Sequence, residues 1–420
     1  MPYSIFYLLL PIVSTVIIAF PIQSQTVRSV SDVLEDGQVK YAIDYIDART
    51  NATAQFLTQI GSIISPSGHE HDRAEAVANK MRQIGLSNVA VDGTPNAVGV
   101  IPGNSGLALV FISTLDDLAT VADNQRSAPE PPRIEGDRVI GPGTNTSFTT
   151  AAMLSAAEAL INSDLKPEHD LVFAAVAQEE TGLVGMKKVY ETYRDKAIGF
   201  VDILGEGQSI SYGAINIHWW KVVALGPGGH SLRGGLPNVN QGIGRAVDRI
   251  LQLPQPKKYP DIRTVANISI LNSGSVYNHK PEEGWFSLDL RSMDVSVVEE
   301  METQVRSILE QVSKETGIKF KMDPFQLTPG GQLPGARESV LVTTAQAISR
   351  HLGIEPRLSD MGSSNMNVAI GNGTSAIGIS GSRGGQRGFP DEWANIPAMI
   401  KTAKHIALLA STIGGAQSRF

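Results

Sequence analysis

The chain has 420 residues, 42% hydrophobic and 18% charged, which is typical of a soluble globular protein. Its 35 basic and 42 acidic residues give a formal net charge of −7 without a basic stripe, so nothing indicates a nucleic-acid partner. The absence of cysteine excludes disulfides, thiolate zinc sites and cysteine nucleophiles. At this length we expect two domains.

The N-terminal segment carries no charged side chain and is apolar from Ile5 to Phe20, ending near small residues such as Ser24. Its length fits the apolar region of a signal peptide better than a membrane span of about 20 residues. Because no basic residue precedes it, an uncleaved N-terminal anchor is the alternative. We expect residues 1–24 to be a signal peptide or anchor and the protein to be secreted or periplasmic, with no later membrane span.

Helices and buried strands alternate in the first half of the chain. Residues 33–63 favour helix, and apolar residues at helical spacing predict another helix over 74–84. Residues 88–103 alternate like a hairpin. The apolar runs "GLALVFIST" and "HDLVFAAVAQEE" predict strands buried on both faces, with the Ala/Leu-rich helix "TAAMLSAAEALINS" between them. This order predicts a wound, mostly parallel α/β sheet.

The pattern changes in the middle of the chain, where "HWWKVVALGPGG", "VANISILNSGSV" and "EGWFSLDLRSM" read as half-buried strands. Helices are predicted near Val239–Leu253 and Val297–Thr316. Two helices with about four strands indicate a small α+β, ferredoxin-like unit. We predict a split α/β domain of residues 25–213 and 326–420, interrupted by an inserted domain of residues 214–325.

Acidic residues follow three of the predicted strands. Asp116 and Asp117 end the first, Glu179 and Glu180 end the second, and Glu206 follows "GFVDILGEG". In open α/β sheets, ligands bind outside the carboxyl ends of the strands. Each acid taken alone is equally well explained as a solvated loop residue, but three such strand ends together favour a shared cleft.

After the leader, a set of short motifs follows in a fixed order: "TLD" (114–116), "GPGTNTS" (141–147), "QEETGLVG" (178–185), "GEG" (205–207), "GPGGHSLRGGLPNVNQ" (226–241), "NHKPEEGWFSLDLR" (278–291) and "GFPDEW" (388–393). This order resembles that of the M20 family of metallopeptidases and amidohydrolases. The resemblance implies a catalytic domain split by a lid that forms a homodimer, with activity on an amide bond of a small peptide or N-acyl amino acid.

The metal ligands are where this sequence departs from the family. The family's first histidine falls on Thr114, its bridging aspartate on Thr146 (or Asn145), and its last histidine on Gly388. Threonine hydroxyls are poor zinc ligands and glycine has no side chain. Three ligand positions of the family are therefore lost.

Only Glu180 and Glu206 remain among the ligands that the resemblance implies. A catalytic zinc needs about three protein ligands, so we predict no dinuclear zinc centre and expect no cofactor. A single divalent cation such as Ca²⁺, held by Asp116 with these two glutamates, is the alternative. His69 and His71 resemble a ligand pair, but they lie in a helix-capping turn and we interpret them as surface histidines.

Carboxylates that converge without a metal repel one another, so at least one should have a raised pKa and hold a proton. A cation could also replace the metal. Arg383 and Arg387 stand close to the vacated histidine position. Our hypothesis is that one of these guanidinium groups enters the former metal site and pairs with Glu180 or Glu206, the alternative being two solvated loop arginines.

The resemblance also assigns roles that do not require metal. Glu179 occupies the general acid/base position, supported by Asp116. His230 matches a lid histidine that could stabilise an oxyanion, and Asn278 and Arg291 match residues that hold the carboxylate or amide of the substrate. The structural alternatives are a capping histidine in a tight turn and an arginine that only forms an ion pair.

Asn365 stands where an acid is common in a substrate-facing loop, and with Arg387 it completes the candidate substrate-binding residues.

Two classes of function stay open. One is an exported enzyme that hydrolyses an amide bond or transfers an acyl or aminoacyl group without the usual zinc centre. The other is a non-catalytic pseudoenzyme that binds a peptide-like ligand. Retention of Glu179 and His230 favours the enzyme, the lost ligand positions favour the binder, and an ordinary zinc-dependent peptidase is a third reading.

Overall fold

The computed structural model describes residues 28–415. The predicted signal peptide or anchor of residues 1–24 lies outside the described residues. Within the described range, no helix combines the length and the apolar character needed to cross a membrane.

The first part of the chain, up to residue 214, supplies most of the larger sheet and its helices. Its helices are α1 (Val30–Glu35), α2 (Gly37–Ala48), α3 (Thr50–Gly61), α4 (His71–Gln83), α5 (Ala119–Ser127), α6 (Thr144–Asn162) and α7 (Val184–Tyr193). Its strands are β1 (Ser87–Val91), β2 (Ala97–Ile101), β3 (Ala108–Thr114), β4 (Arg133–Glu135), β5 (Arg138–Ile140), β6 (Asp170–Val176), β7 (Ala197–Leu204), β8 (Ser209–Ser211) and β9 (Gly213–Ala214). The predicted helices, hairpin and buried strands of this part are confirmed.

The middle part forms a separate antiparallel sheet with two helices, which we call the inserted unit (residues 216–328). Its strands are β10 (Asn216–Leu225), β11 (Gly229–His230), β12 (Thr264–Asn267), β13 (Leu271–Ser273), β14 (His279–Lys280), β15 (Glu283–Ser292) and β16 (Lys319–Thr328). Its helices are α8 (Val239–Leu251) and α9 (Val295–Thr316). The predicted α+β character is confirmed, while the domain boundaries stay a prediction.

The last part returns to the larger sheet. Its strands are β17 (Gly331–Gln332), β18 (Arg357–Ser359), β19 (Ala376–Ser380), β20 (Gly384–Gly385) and β21 (Trp393–Asn395). Its helices are α10 (Val340–His351), α11 (Met366–Gly371) and α12 (Ile396–Ile413).

The larger sheet has eight strands in the order β1-β2-β6-β3-β7-β19-β8-β18. Its central strands β6, β3, β7 and β19 are parallel, whereas β1, β2 and β8 add antiparallel pairings, so the sheet is mixed. Because parallel neighbours end at the same edge, the segments that follow β3, β6, β7 and β19 meet there.

Alternate residues of β3 explain why its sequence is apolar from Ala108 to Ile112. Leu109 and Phe111 pack into a core with α3, α6 and α12, while Val110 and Ile112 pack into a second core with α7 and α11 on the opposite face. Side chains of a strand alternate between faces, so a sheet covered on both sides leaves no polar position in such a strand.

The sheet of the inserted unit is covered on one face only. Along β15, Phe286, Leu288 and Leu290 point into an apolar core with α8 and α9. The intervening residues, including Asp289 and Arg291, lie on the other, partly exposed face. The period-two burial of β15 is the half-buried pattern that the sequence predicted.

Candidate active site

Asp116 organises the turn that carries the paired glutamates. Its carboxylate is fully buried and accepts hydrogen bonds from the backbone N–H groups of Glu179 and Glu180 at 2.8 and 3.0 Å. Its Oδ2 atom also accepts from the Ser67 hydroxyl at 2.5 Å. The strand ends after β3 and β6 are therefore joined, as predicted for these acids, and both oxygens of Asp116 are already engaged.

Asp117 serves a different purpose, because it forms a buried ion pair with Arg73 at 2.6 Å. Arg73 also donates to the carbonyl oxygens of Leu115 and Ile63. Burial raises the pKa of Asp117, and the attraction of Arg73 opposes that rise. Sequence reasoning missed Arg73, although its place on the apolar stripe of α4, four residues before Val77, was a signal of a buried charge.

Glu180 forms an ion pair with Arg387, and the side chains of both are partly buried. The predicted pairing of an arginine of this loop with Glu180 is present in the structure. Burial opposes the charge of Arg387, but the attraction of Glu180 outweighs it and raises the pKa of the arginine. The Nε atom of Arg387 is buried and has no hydrogen-bond partner among the described residues.

Glu179 is the most perturbed carboxyl group of the cleft. Burial raises its pKa well above the ordinary value, and repulsion from Glu180, Asp116 and Asp202 raises it further against the opposing charge of Arg387. A raised pKa favours the protonated carboxyl group. The raised pKa of Glu179 agrees with the first part of the prediction, and the bound proton itself stays a prediction.

Arg383 is the second arginine of this loop. Burial and repulsion from Arg387 lower its pKa, and the carboxylates of Glu179, Asp202 and Glu180 act in the opposite direction. Both arginines therefore lie within electrostatic range of the same acids. The alternative of two solvated loop arginines is wrong for this pair.

Asp202, on β7, is a buried acid that sequence reasoning did not single out. Its Oδ2 accepts from the backbone N–H of Met366 at the start of α11, and its Oδ1 is buried with no hydrogen-bond partner within residues 28–415. The neighbouring Asn365 donates to the Thr114 hydroxyl at 3.2 Å, and its own oxygen has no partner in the same range. Asn365 thus contacts Thr114, the residue on which the family's first histidine falls.

Glu392 is another buried acid that sequence reasoning missed, and it joins the start of α6 to the loop of Gly388. Its Oε1 accepts from the backbone N–H groups of Gly143 and Asn145 at the start of α6, and its Oε2 accepts from that of Gly388. Gly388 has a left-handed φ of +87°, which side-chain-bearing residues rarely adopt. Thr146, which with Asn145 is one of the two residues on which the resemblance places the bridging aspartate, has a buried hydroxyl with no hydrogen-bond partner among the described residues.

Glu206 follows β7. Burial raises its pKa, while Lys401 and the backbone of Ser382 lower it. Its convergence with Glu179 and Glu180 stays a prediction. Asp202, on β7, is one of the acids whose charge raises the pKa of Glu179.

These residues do not fit the dinuclear zinc centre of the family. Glu180 is paired with Arg387, both oxygens of Asp116 accept hydrogen bonds, and Thr114 and Gly388 offer no imidazole. Across residues 28–415, no group of three or more His, Asp or Glu residues could hold a metal ion. His69 and His71 are exposed, as the surface interpretation predicted.

The remaining candidates lie on the inserted unit, and within residues 28–415 no side-chain hydrogen bond or ion pair joins them to the acidic cleft. His230 is exposed; its Nε2 lies 3.2 Å from the amide nitrogen of Asn278, and its Nδ1 accepts from the backbone N–H of Leu232. Arg291 binds Asp289 with two nitrogens at 2.9 to 3.1 Å. The capping and ion-pair interactions that we gave as structural alternatives are thus both present.

A family model described as peptidase family M20/M25/M40 matches residues 116–412, well over half of the chain. No curated protein sequence matches this chain.

Several solved structures share the fold. Aminopeptidase PepT from Bacillus cereus is 18% identical over 87% of this chain and 98% of its own, with a TM-score of 0.69. Human carnosine dipeptidase 1 is 14% identical over 90% of this chain and 99% of its own, with a TM-score of 0.67. An M20 family peptidase from Bacillus subtilis, described as binding a dinuclear metal centre, is 13% identical over 87% of this chain and 99% of its own, with a TM-score of 0.64. At these identities the likeness shows the fold.

Proposed function

Because this chain belongs to the peptidase family M20/M25/M40, we propose that it acts on an amide bond of a small peptide or N-acyl amino acid without the usual dinuclear zinc centre. The ion pair between Arg387 and Glu180 is the observation that carries this proposal. It places a fixed positive charge where the family resemblance implies a metal ligand. The reaction is hydrolysis or transfer of the acyl or aminoacyl group.

Glu179 is the proton carrier in this proposal. Its protonated carboxyl group donates to the leaving nitrogen of the amide, and the resulting carboxylate accepts a proton from the attacking water or amine. Asp116 holds the turn of Glu179 and Glu180 by their backbone N–H groups, so it positions the acid. Asn365 and Arg387 line the same cleft and supply polar contacts to the ligand.

The inserted unit contributes from the other side of the cleft. His230 and Asn278, which already contact each other, bring an imidazole and an amide to the developing oxyanion when the unit closes or when a partner subunit supplies it. A homodimer through the inserted unit and export directed by residues 1–24 belong to this proposal.

A second candidate is a pseudoenzyme that binds the same class of ligand. The saturation of Asp116, whose two oxygens accept three hydrogen bonds, favours it, because that carboxylate is not available to substrate. In this case Glu179 and Arg387 bind the ligand without turnover.

A dipeptide and N-acyl amino-acid panel, assayed with and without chelator alongside metal analysis, tests both candidates. The enzyme proposal expects chelator-resistant turnover that is abolished in Glu179→Gln and kept in Glu191→Gln, an exposed acid on α7. Ligand binding without turnover would support the pseudoenzyme. Two bound zinc ions per chain with chelator-sensitive turnover would overturn both.

A further inference from the structure

A buried acid lies between the two exposed histidines at the start of α4. Glu70 is fully buried, whereas His69 and His71 on either side of it are exposed. Its Oε1 atom accepts hydrogen bonds from the backbone N–H groups of Gly68 at 2.8 Å and of Gln178 at 3.0 Å. A buried carboxyl group needs such donors to offset its lost hydration. This side chain therefore joins the start of α4 to the turn that carries the paired glutamates.

The turn after β6 contains backbone that most side chains disfavour. We call residues 177–185 the glutamate loop. Within it, Gln178 and Leu183 both have a left-handed φ of +55°, a conformation that residues other than glycine rarely adopt. Such backbone persists where surrounding contacts hold it. Because Gln178 directly precedes Glu179, the contacts of Gln178 help to set the direction in which the Glu179 side chain leaves the backbone.

Two buried acids hold three consecutive N–H groups of the glutamate loop. Glu70 accepts from Gln178 at 3.0 Å. Asp116 accepts from Glu179 and Glu180 at 2.8 and 3.0 Å. Burial raises the pKa of Glu70, its bonds from backbone N–H groups lower it, and the charge of Asp116 raises it further. The two carboxyl groups thus lie within electrostatic range of each other, and the bonds they accept from the loop come from successive residues.

The ends of the glutamate loop are closed by a different residue. Asn96 is fully buried; its Oδ1 accepts from the backbone N–H of Ala177 at 3.0 Å, and its Nδ2 donates to the carbonyl oxygen of Gly185 at 3.1 Å. The backbone N–H of Gly185 also donates to the carbonyl oxygen of Ala177 at 3.0 Å. None of these bonds involves Glu70. Loss of Glu70 should therefore loosen residues 178–180 and leave the ends of the loop closed.

We propose that Glu70 is a positioning residue for Glu179. It acts through the backbone of Gln178, and it fixes the loop so that the Glu179 carboxyl group faces the bound amide. The assignment of Glu179 as the proton carrier rests on the proposed function, whereas the link from Glu70 to the glutamate loop rests on their hydrogen bond. A small displacement of a catalytic group slows the chemical step more than it weakens ligand binding. Glu70 should therefore matter for turnover more than for affinity.

Amide hydrogen exchange, measured by mass spectrometry on peptides that cover the glutamate loop, tests this link without any need for turnover. Glu70→Ala removes the acceptor of the Gln178 N–H, so exchange at residues 178–180 should become faster by about tenfold or more. Glu70→Gln keeps an acceptor oxygen and should restore most of the protection. If Glu70→Ala does not fold, Glu70→Asp replaces it and should show the same acceleration, because its shorter side chain does not reach Gln178.

The matched control is Asp170→Ala. Asp170 begins β6, and its Oδ1 accepts from the backbone N–H of Gly103 at 2.8 Å. This variant therefore also loses a carboxylate that accepts from a backbone N–H, but at the opposite end of the strand, and exchange at residues 178–180 should be unchanged. Unchanged exchange at these residues in the Glu70 variants, or equal acceleration in Asp170→Ala, would overturn the proposal.

Turnover of a dipeptide or N-acyl amino acid gives the second readout. In Glu70→Ala we expect kcat to fall by about tenfold or more while KM stays within about twofold. Asp170→Ala should change neither constant, and Glu70→Gln should recover most of kcat. A raised KM with unchanged kcat would show that Glu70 serves ligand binding and would overturn the positioning role. If the unmodified protein has no turnover, the proposed enzyme activity fails, and exchange at residues 178–180 alone decides whether Glu70 holds the loop.

Discussion

The pKa values of the charged side chains in the cleft depend on one another, because these groups lie close together and are buried to a large extent. Glu179, Glu180 and Asp202 act on Arg383, and Arg387 compensates part of the repulsion among the acids. Burying a charge costs several kcal/mol unless partners with good geometry offset it. The consequences of this balance can be measured on single residues.

Replacement of Glu179 by Gln should change how stability depends on pH. The pKa of Glu179 is raised in the folded protein, so its contribution to stability is fully present below the unfolded pKa, near 4.5, and is lost as the pH rises through the folded pKa. Gln does not ionise. The free energy of unfolding of Glu179→Gln should therefore equal that of the unmodified protein at pH 4. At pH 8 it should be larger, by about 1.4 kcal/mol for each unit by which folding raises the pKa of Glu179.

Urea unfolding at several pH values between 4 and 8 measures this difference. The control is Glu191→Gln, which replaces an exposed acid on α7. This substitution should give no pH-dependent gain in the free energy of unfolding. A Glu179→Gln difference that stays constant from pH 4 to pH 8 would show that burial does not perturb this carboxyl group.

Loss of the Arg387 side chain should destabilise the fold by about 1–3 kcal/mol, because Glu180 then has no cation beside it in a partly buried site. Arg350→Ala is the control: its ion pair with Glu355 is exposed and should cost no more than about 1 kcal/mol. Equal free energies of unfolding for the two variants would show that the Arg387 pair is not a structural substitute for a metal.

At the scale of whole elements, short polar segments fix the helices that surround the cleft. Glu392, between β20 and β21, caps α6 through Gly143 and Asn145, and Asp202 caps α11 through Met366. Four backbone N–H groups at each helix start lack intrahelical partners, and a carboxylate there also interacts favourably with the helix dipole. The loop of Arg387 is thereby held against the N-terminus of α6.

We predict that Glu392→Ala costs about 2–3 kcal/mol, because it leaves buried N–H groups of Gly143, Asn145 and Gly388 without acceptors. Asp294→Ala removes an exposed cap of α9 in the inserted unit and should cost about 1 kcal/mol. Denaturant unfolding of both variants compares the two caps. A smaller effect at Glu392 than at Asp294 would contradict a role of this acid in joining the loop to α6.

At the scale of the whole molecule, the two sheets have independent apolar cores. The larger sheet is covered on both faces, whereas the inserted unit has a single core of its own under α8 and α9. The acidic cleft is built from the part of the chain around the larger sheet, and the cavity lined by Trp219 and Phe325 lies on the inserted unit. These two regions therefore belong to separate apolar cores.

Removal of divalent metal should leave the stability of this molecule unchanged. This follows from the proposed function: Thr114 and Gly388 lack metal-binding side chains, Arg387 engages Glu180, and within residues 28–415 no group of three or more His, Asp or Glu side chains could hold a metal ion. Thermal unfolding with and without EDTA, and after addition of ZnCl₂, should give the same midpoint within about 1 °C by the usual relation between free energy and midpoint. A chelator-dependent fall of several degrees would reveal a structural ion.

The sequence by itself determined the order of helices and strands, the mixed α/β class and the family, whereas the domain boundaries and the loss of imidazole at the family's metal positions stay predictions. The determined features depend on local periodicity and on which residue type occupies each motif, as in the apolar run of β3, which ends at Thr114. The pairing of Arg387 with Glu180 was also within reach, since both positions belong to recognisable motifs.

Only the tertiary structure decided which acids share the cleft. Asp202, Glu392 and Arg73 lie far apart in the sequence and gain their partners when strands and helices pack. The contact between the rings of Trp219 and Phe325 likewise forms only when β10 and β16 pair. Burial and long-range contact are properties of the packed chain, and they set which charges are paired and which are left to bind a ligand.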